Sequence, residues 1–175
     1  LTFKVFPRKE AFATLRVDAG GLAEALEVVA RLNASTEELF ALELEPPGTL
    51  LLRIGGIESV LSTRIERLRS LLGLSCEQVK DEEDCWRREG EFAWASREGS
   101  LVKAPTTLAM IETLERDLPA AVSRRYGCGG SVAWICWPAT EPLDALVEIL
   151  SATGGAGLVL WTPEGSTFDP LLNRK

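Results

Sequence analysis

Apolar positions along the chain switch repeatedly between a period of two, expected of strands, and a period near 3.6, expected of helices. Leu1, Phe3 and Val5 alternate with Thr2 and Lys4, which predicts a strand closed by Pro7. A second strand is predicted over 11–17. After Gly20-Gly21 the residues Leu22, Ala25, Leu26, Val29 and Leu32 recur at helical spacing and define one apolar face. Phe40, Leu42 and Leu44 then alternate with Ala41, Glu43 and Glu45, a half-buried strand with its acids in water. Pro46-Pro47-Gly48 predicts a turn, and Leu50, Leu52 and Ile54 form the returning strand. A long helix carries Ile57, Val60, Leu61, Ile65, Leu68 and Leu72 and stops at Gly73. A weakly patterned element follows over 74–79.

The stretch 81–99 is dense in charge, holds Trp86 and Trp94 and has no clean period. It reads as a short helix over 82–90 and a loop, a connector whose tryptophans anchor it. The earlier order then returns. A strand is predicted over 101–104, and Thr106 or Thr107 caps a helix bearing Leu108, Ile111, Leu114 and Leu118. Segments 121–126 and 131–137 pair around Gly127-Cys128-Gly129-Gly130. Leu143, Leu146, Val147 and Leu150 mark another helix, which Gly154-Gly155 ends before a last strand over 157–162. Each half therefore reads strand, helix, strand, strand, helix, strand. The expected fold is α+β: two ferredoxin-like βαββαβ units, over 11–80 and 100–162, forming one antiparallel sheet with helices on one face.

The 175 residues suit one such domain; 46% are apolar and 26% charged, as in ordinary globular chains. No apolar run reaches the ~18 residues of a membrane span. The net charge of −7 argues against a nucleic-acid partner. Histidine is absent, which removes Ser-His-Asp and Cys-His catalysis and histidine metal sites. Cys76, Cys85, Cys128 and Cys136 form no Cys-x-x-Cys pair and read as reduced thiols, so no metal is expected. The acids over 81–84 lack the spacing of a calcium loop and fit a helix N-terminus. The Gly127–Gly130 run follows a strand with no helix behind it, and is a turn, not a phosphate cradle.

Trp134 and Trp137 fall on opposite faces of one strand, so the face away from the helices also meets something apolar. Arg87, Lys103, Arg124 and Arg125 are the cations near these aromatic segments, and each suits a carboxylate. Arg124 shares its face with Val122 and Tyr126, which favours packing it away.

The opening Leu-Thr-Phe-Lys-Val-Phe-Pro-Arg, Trp86-Arg87, the strand 101–104, the Tyr126–Gly130 turn and Gly154-Gly155 before a strand follow one another in a familiar order. This order resembles the C-terminal domain of FAD-linked oxidases of the vanillyl-alcohol oxidase type, and most of all that of the glycolate oxidase FAD-binding subunit. The resemblance implies a cap, or substrate, domain over 11–175, entered by an exit strand over 1–10 from a missing N-terminal FAD-binding domain. FAD is then held mainly by that domain and none is expected in this chain, which alone is not catalytically competent. A small 2-hydroxy acid is the implied substrate, with Arg87, Lys103 and Arg124 as substrate-binding residues and Trp86 and Trp134 facing the flavin. Other oxidase subunits, iron–sulfur proteins among them, are implied partners, in the cytoplasm or held at a membrane through a complex. Relatives with a Gly-His-x-Gly-Asp-Gly-Asn-x-His segment bind metal; here 126–134 has neither histidine nor acid, which fits an accessory subunit. Phe168-Asp169-Pro170 echoes the tail of the family. The alternatives are a free-standing ferredoxin-like ligand-binding or regulatory module, and a structural subunit of an oxidase complex.

Overall fold

A computed structural model describes residues 9–164 and 170–172. The strand expected over 1–5 and the Phe168-Asp169 pair lie outside them. The first half comprises β1 (Ala11–Asp18), α1 (Leu22–Asn33), β2 (Ala41–Glu45), β3 (Thr49–Gly56), α2 (Glu58–Leu72) and β4 (Cys76–Gln78). The helix α3 (Glu82–Gly90) links it to β5 (Ser100–Pro105), α4 (Leu108–Asp117), β6 (Ser123–Gly127), β7 (Val132–Trp137), α5 (Leu143–Ala152) and β8 (Gly157–Trp161). The sheet order is β4-β1-β3-β2-β6-β7-β5-β8-β9, where β9 is Leu171–Leu172. Every pairing is antiparallel. Each half has the strand order of a ferredoxin-like βαββαβ unit, and the units meet edge to edge where Leu44 of β2 faces Tyr126 of β6.

The helices α1, α2, α4 and α5 bury their apolar stripes on one sheet face. From α1 come Ala25, Leu26, Val28, Val29 and Leu32; from α2 come Leu61, Ile65, Leu68 and Leu72. These meet Leu15, Val17, Leu50, Leu52 and Ile54 in the first unit, and the same core runs on through Tyr126, Ile135 and Trp137. Thr107 caps α4 by accepting from the Met110 amide at 3.3 Å, and Gly73 closes α2 in the left-handed conformation at φ 67°. Trp137 lies inside this core, its indole N–H donating to the Pro142 carbonyl at 3.2 Å.

Two elements go beyond the sequence pattern. The weak stretch 74–79 contains β4, which pairs with β1, and β9 extends the opposite edge. The fifth helix, α3, lies on the other side of the sheet. Its Trp86 indole donates to Thr14 Oγ1 at 2.6 Å, and its Glu82 accepts from Arg53. Thr14 and Arg53 alternate with the core residues Leu15 and Leu52 and so point away from the core.

Candidate functional site

The second sheet face carries a cluster of rings and cations. Across β6, β7 and β5 the residues Arg125, Trp134 and Lys103 stand directly opposite one another. Beyond the C-terminal end of α3 the backbone turns sharply, and Phe92 adopts φ 54°, a left-handed conformation usually left to glycine. That turn places the Phe92 ring at the centre of the cluster. Its centroid is 5.0 Å from Trp134, 5.7 Å from Trp161 and 6.2 Å from Trp94, each in an edge-to-face arrangement. Ala95, Leu101 and Cys136 form the small apolar floor beneath these rings.

Cations cover the ring faces. Arg97 lies 3.9 Å from the Trp161 centroid, Arg125 5.0 Å from Trp94, and Lys103 Nζ 5.2 Å from Trp134. Arg53 spans Phe12, at 4.3 Å, and Trp86, at 5.7 Å. Arg53 is paired with Glu82, while Arg125 reaches Glu45 at 3.0 Å and Glu89 at 3.9 Å. Lys103 is exposed, and among the described residues no ion pair engages it.

Between α3 and the sheet lies a cavity of 280 Å³, walled by Trp86, Phe92, Trp94 and Trp134, with Glu43, Arg53, Glu89 and Arg125 at its polar positions. The alternation of β2 assigns Glu43 to water, but α3 covers it from the far side. Burial first, and the Glu89 carboxylate second, push the Glu43 carboxyl up to about 7, while the Cys128 amide and Arg125 pull the other way. The carboxylate packs on the bare Cα of Gly127: a methyl group there would stand 2.6 Å from Glu43 Oε2. Burial also raises Glu89 above the usual carboxylate range.

Of the residues expected at the site, Trp86, Trp134 and Lys103 share this face. Arg87 does not point into it; exposed on α3, it pairs with Asp84 and Glu91 on its own helix. Arg124 lies beneath the helices, donating to both Glu115 carboxylate oxygens at 2.7 and 2.5 Å. Tyr126 donates to the same carboxylate at 2.5 Å, and burial together with Glu115 holds its hydroxyl protonated. Arg124 thus has a core partner, as its parity with Tyr126 implies. Arg53, Glu43, Phe92 and Arg97 carry no sequence signal of their own; only the docking of α3 and its trailing loop brings them to the face.

Among the described residues no group of three or more Cys, Asp or Glu side chains is placed to hold a metal ion. The Gly127–Gly130 segment makes a short 3-10 turn and leads directly into β7, with no α-helix opening behind it. No helix among them is long and apolar enough to cross a membrane. In comparison with known proteins, the chain matches no family model and no curated protein.

Proposed function

We propose that the chain is the cap domain of an FAD-linked oxidoreductase of the vanillyl-alcohol oxidase type, close to the glycolate oxidase flavin subunit, acting on a small 2-hydroxy acid. The observation that carries this reading is the second sheet face, where Trp134, Trp161 and Phe92 are packed with Lys103 and Arg97 instead of the uniform charge of a solvated sheet. The reading requires a companion domain or subunit that holds FAD. The chemistry the flavin supplies when bound is acceptance of a hydride from the hydroxyl-bearing carbon. The role of this chain is to cover that site, exclude water and orient the acid. Lys103 is the group for the substrate carboxylate: it is exposed, unpaired among the described residues and fixed over Trp134.

The test is flavin reduction by short 2-hydroxy acids in the flavin-loaded protein. Lys103→Gln is expected to raise the half-saturating acid concentration about tenfold with flavin content unchanged, the loss of one charge-assisted contact. Arg87→Gln should leave it unchanged. Absence of reduction by any such acid, or an unaltered Lys103→Gln protein, rejects the reading. A free-standing ligand-binding module is the second reading, favoured by the walled cavity under α3.

A further inference from the structure

We propose that the cavity beneath α3 is a binding site for a small organic cation carrying N–H donors, an alkylammonium or guanidinium compound, with Glu43 as its counter-ion. The argument begins with the balance of charge around the cavity. Its two cations are already engaged by carboxylates: Arg53 by Glu82, and Arg125 by Glu45 at 3.0 Å. Its own two carboxylates are less well matched: Glu43 accepts from the Cys128 amide and feels Arg125 only at a distance, and Glu89 has Arg125 at 3.9 Å. Among the described residues no ion pair reaches Glu43. Negative charge is therefore in excess inside a space walled by four aromatic rings.

Each part of that arrangement favours the same class of occupant. Aromatic faces attract organic cations and repel anions through the ring quadrupole; Arg53, Arg125 and Lys103 already stand over Trp86, Trp94 and Trp134, so an added cation meets Phe92 and the ring faces these side chains leave open. A buried carboxylate without a counter-charge is stabilised by one supplied from outside, and most by one that also donates hydrogen bonds. The Glu43 carboxylate lies close against Gly127, where a side chain would collide with it, and accepts from the Cys128 amide. A volume of 280 Å³ admits a molecule of a few heavy atoms. An anionic ligand would meet Glu43 and Glu89 with both arginines already taken, so this site is distinct from the place of Lys103 on the far side of Trp134. The inference does not rest on the flavin reading.

The pH dependence follows from the groups that face Glu43: Glu89 of α3 and burial keep its proton on, Arg125 of β6 and the Cys128 amide draw it off, and Arg53 of β3 lines the same cavity. A bound cation adds to the second set. Since the Glu43 carboxyl titrates at about 7, an alkylammonium ion should bind about tenfold more tightly at pH 8 than at pH 6, its own charge being constant over that range.

The experiment is calorimetric titration of the whole chain with n-propylammonium chloride and with methylguanidinium chloride at pH 6 and pH 8. Sodium chloride, sodium propionate and 1-propanol serve as controls. Saturable binding of at least one cation is expected, about tenfold tighter at pH 8 and accompanied by proton release near pH 7. Glu43→Gln should lose that tenfold and the proton release. Equal affinity at the two pH values, propionate or propanol binding as well as the cation, an unaltered Glu43→Gln protein, or no saturation by either cation overturns the proposal. If Glu43→Gln does not fold, the wild-type pH comparison and Glu89→Gln decide it: Glu89→Gln should weaken binding at pH 8 and move its midpoint to lower pH. Flavin reduction by 2-hydroxy acids is indifferent to all of these results, so the two readings fail separately.

Discussion

Glu43 keeps a proton in the folded chain that it would release when unfolded, and this ties stability to pH. Its carboxyl rises from 4.5 to about 7 on folding, chiefly through burial. A raised carboxyl favours the folded state below its unfolded value, and the advantage is lost as pH climbs through 7. Replacing it by the neutral isostere should therefore change little at pH 4 and stabilise at pH 8 by about 3 kcal/mol, the free energy of a shift of this size. Urea unfolding of Glu43→Gln at the two pH values checks this; an equal effect at both would mean that the carboxyl is not buried as a titrating group. Arg124 is the opposite case. Its charge is matched by Glu115 with a bidentate geometry, and it belongs to the frame that carries β6.

The helix α3 makes the second face into a site, and few bonds hold it there. None of its residues is fully buried, and its attachment to β1 and β3 runs through Trp86, Glu82 and the two residues they meet, Thr14 and Arg53. Thr14→Val removes the acceptor of the Trp86 indole and should cost about 1–2 kcal/mol. The loss should be local: backbone amides over 82–96 are expected to exchange hydrogen faster, while those of β5 and β7 keep their protection. Uniform acceleration would show that α3 is part of the main cooperative unit. The same long-range contacts explain what was legible in the sequence. Seven strands and the four stripe-bearing helices followed from period and turns, because each of those strands alternates and each of those helices carries a stripe such as Leu61, Ile65, Leu68 and Leu72. The contrast between Trp134 and Trp137 followed from parity alone. The burial of Glu43 did not, since the helix that covers it begins 39 residues later, and neither did the exposed position of Arg87, on a segment without a period.

At the scale of the molecule, two units with no matching sequence share one interior. Leu44 faces Tyr126 across the seam, α1 packs on α4, and Asn33 at the end of α1 donates to the Gly129 carbonyl of the other unit at 2.8 Å. A single apolar core includes residues of both units. Heat unfolding is therefore expected as one transition, with calorimetric and van't Hoff enthalpies agreeing. Two resolved transitions would show that the units are thermodynamically separate and that the seam contributes little.

The turn behind Glu43 has one more property. Cys128 is exposed at φ 54°, on the outer side of the residue whose Cα supports the carboxylate, whereas Cys136 is buried and Cys76 and Cys85 are partly covered. Burial also holds the Cys85 and Cys136 thiols in their less reactive protonated form. The native chain thus offers a ready attachment point for a spectroscopic reporter. A maleimide fluorophore should couple to Cys128 ahead of the other three thiols, one turn of backbone from the cavity wall, without any engineered cysteine.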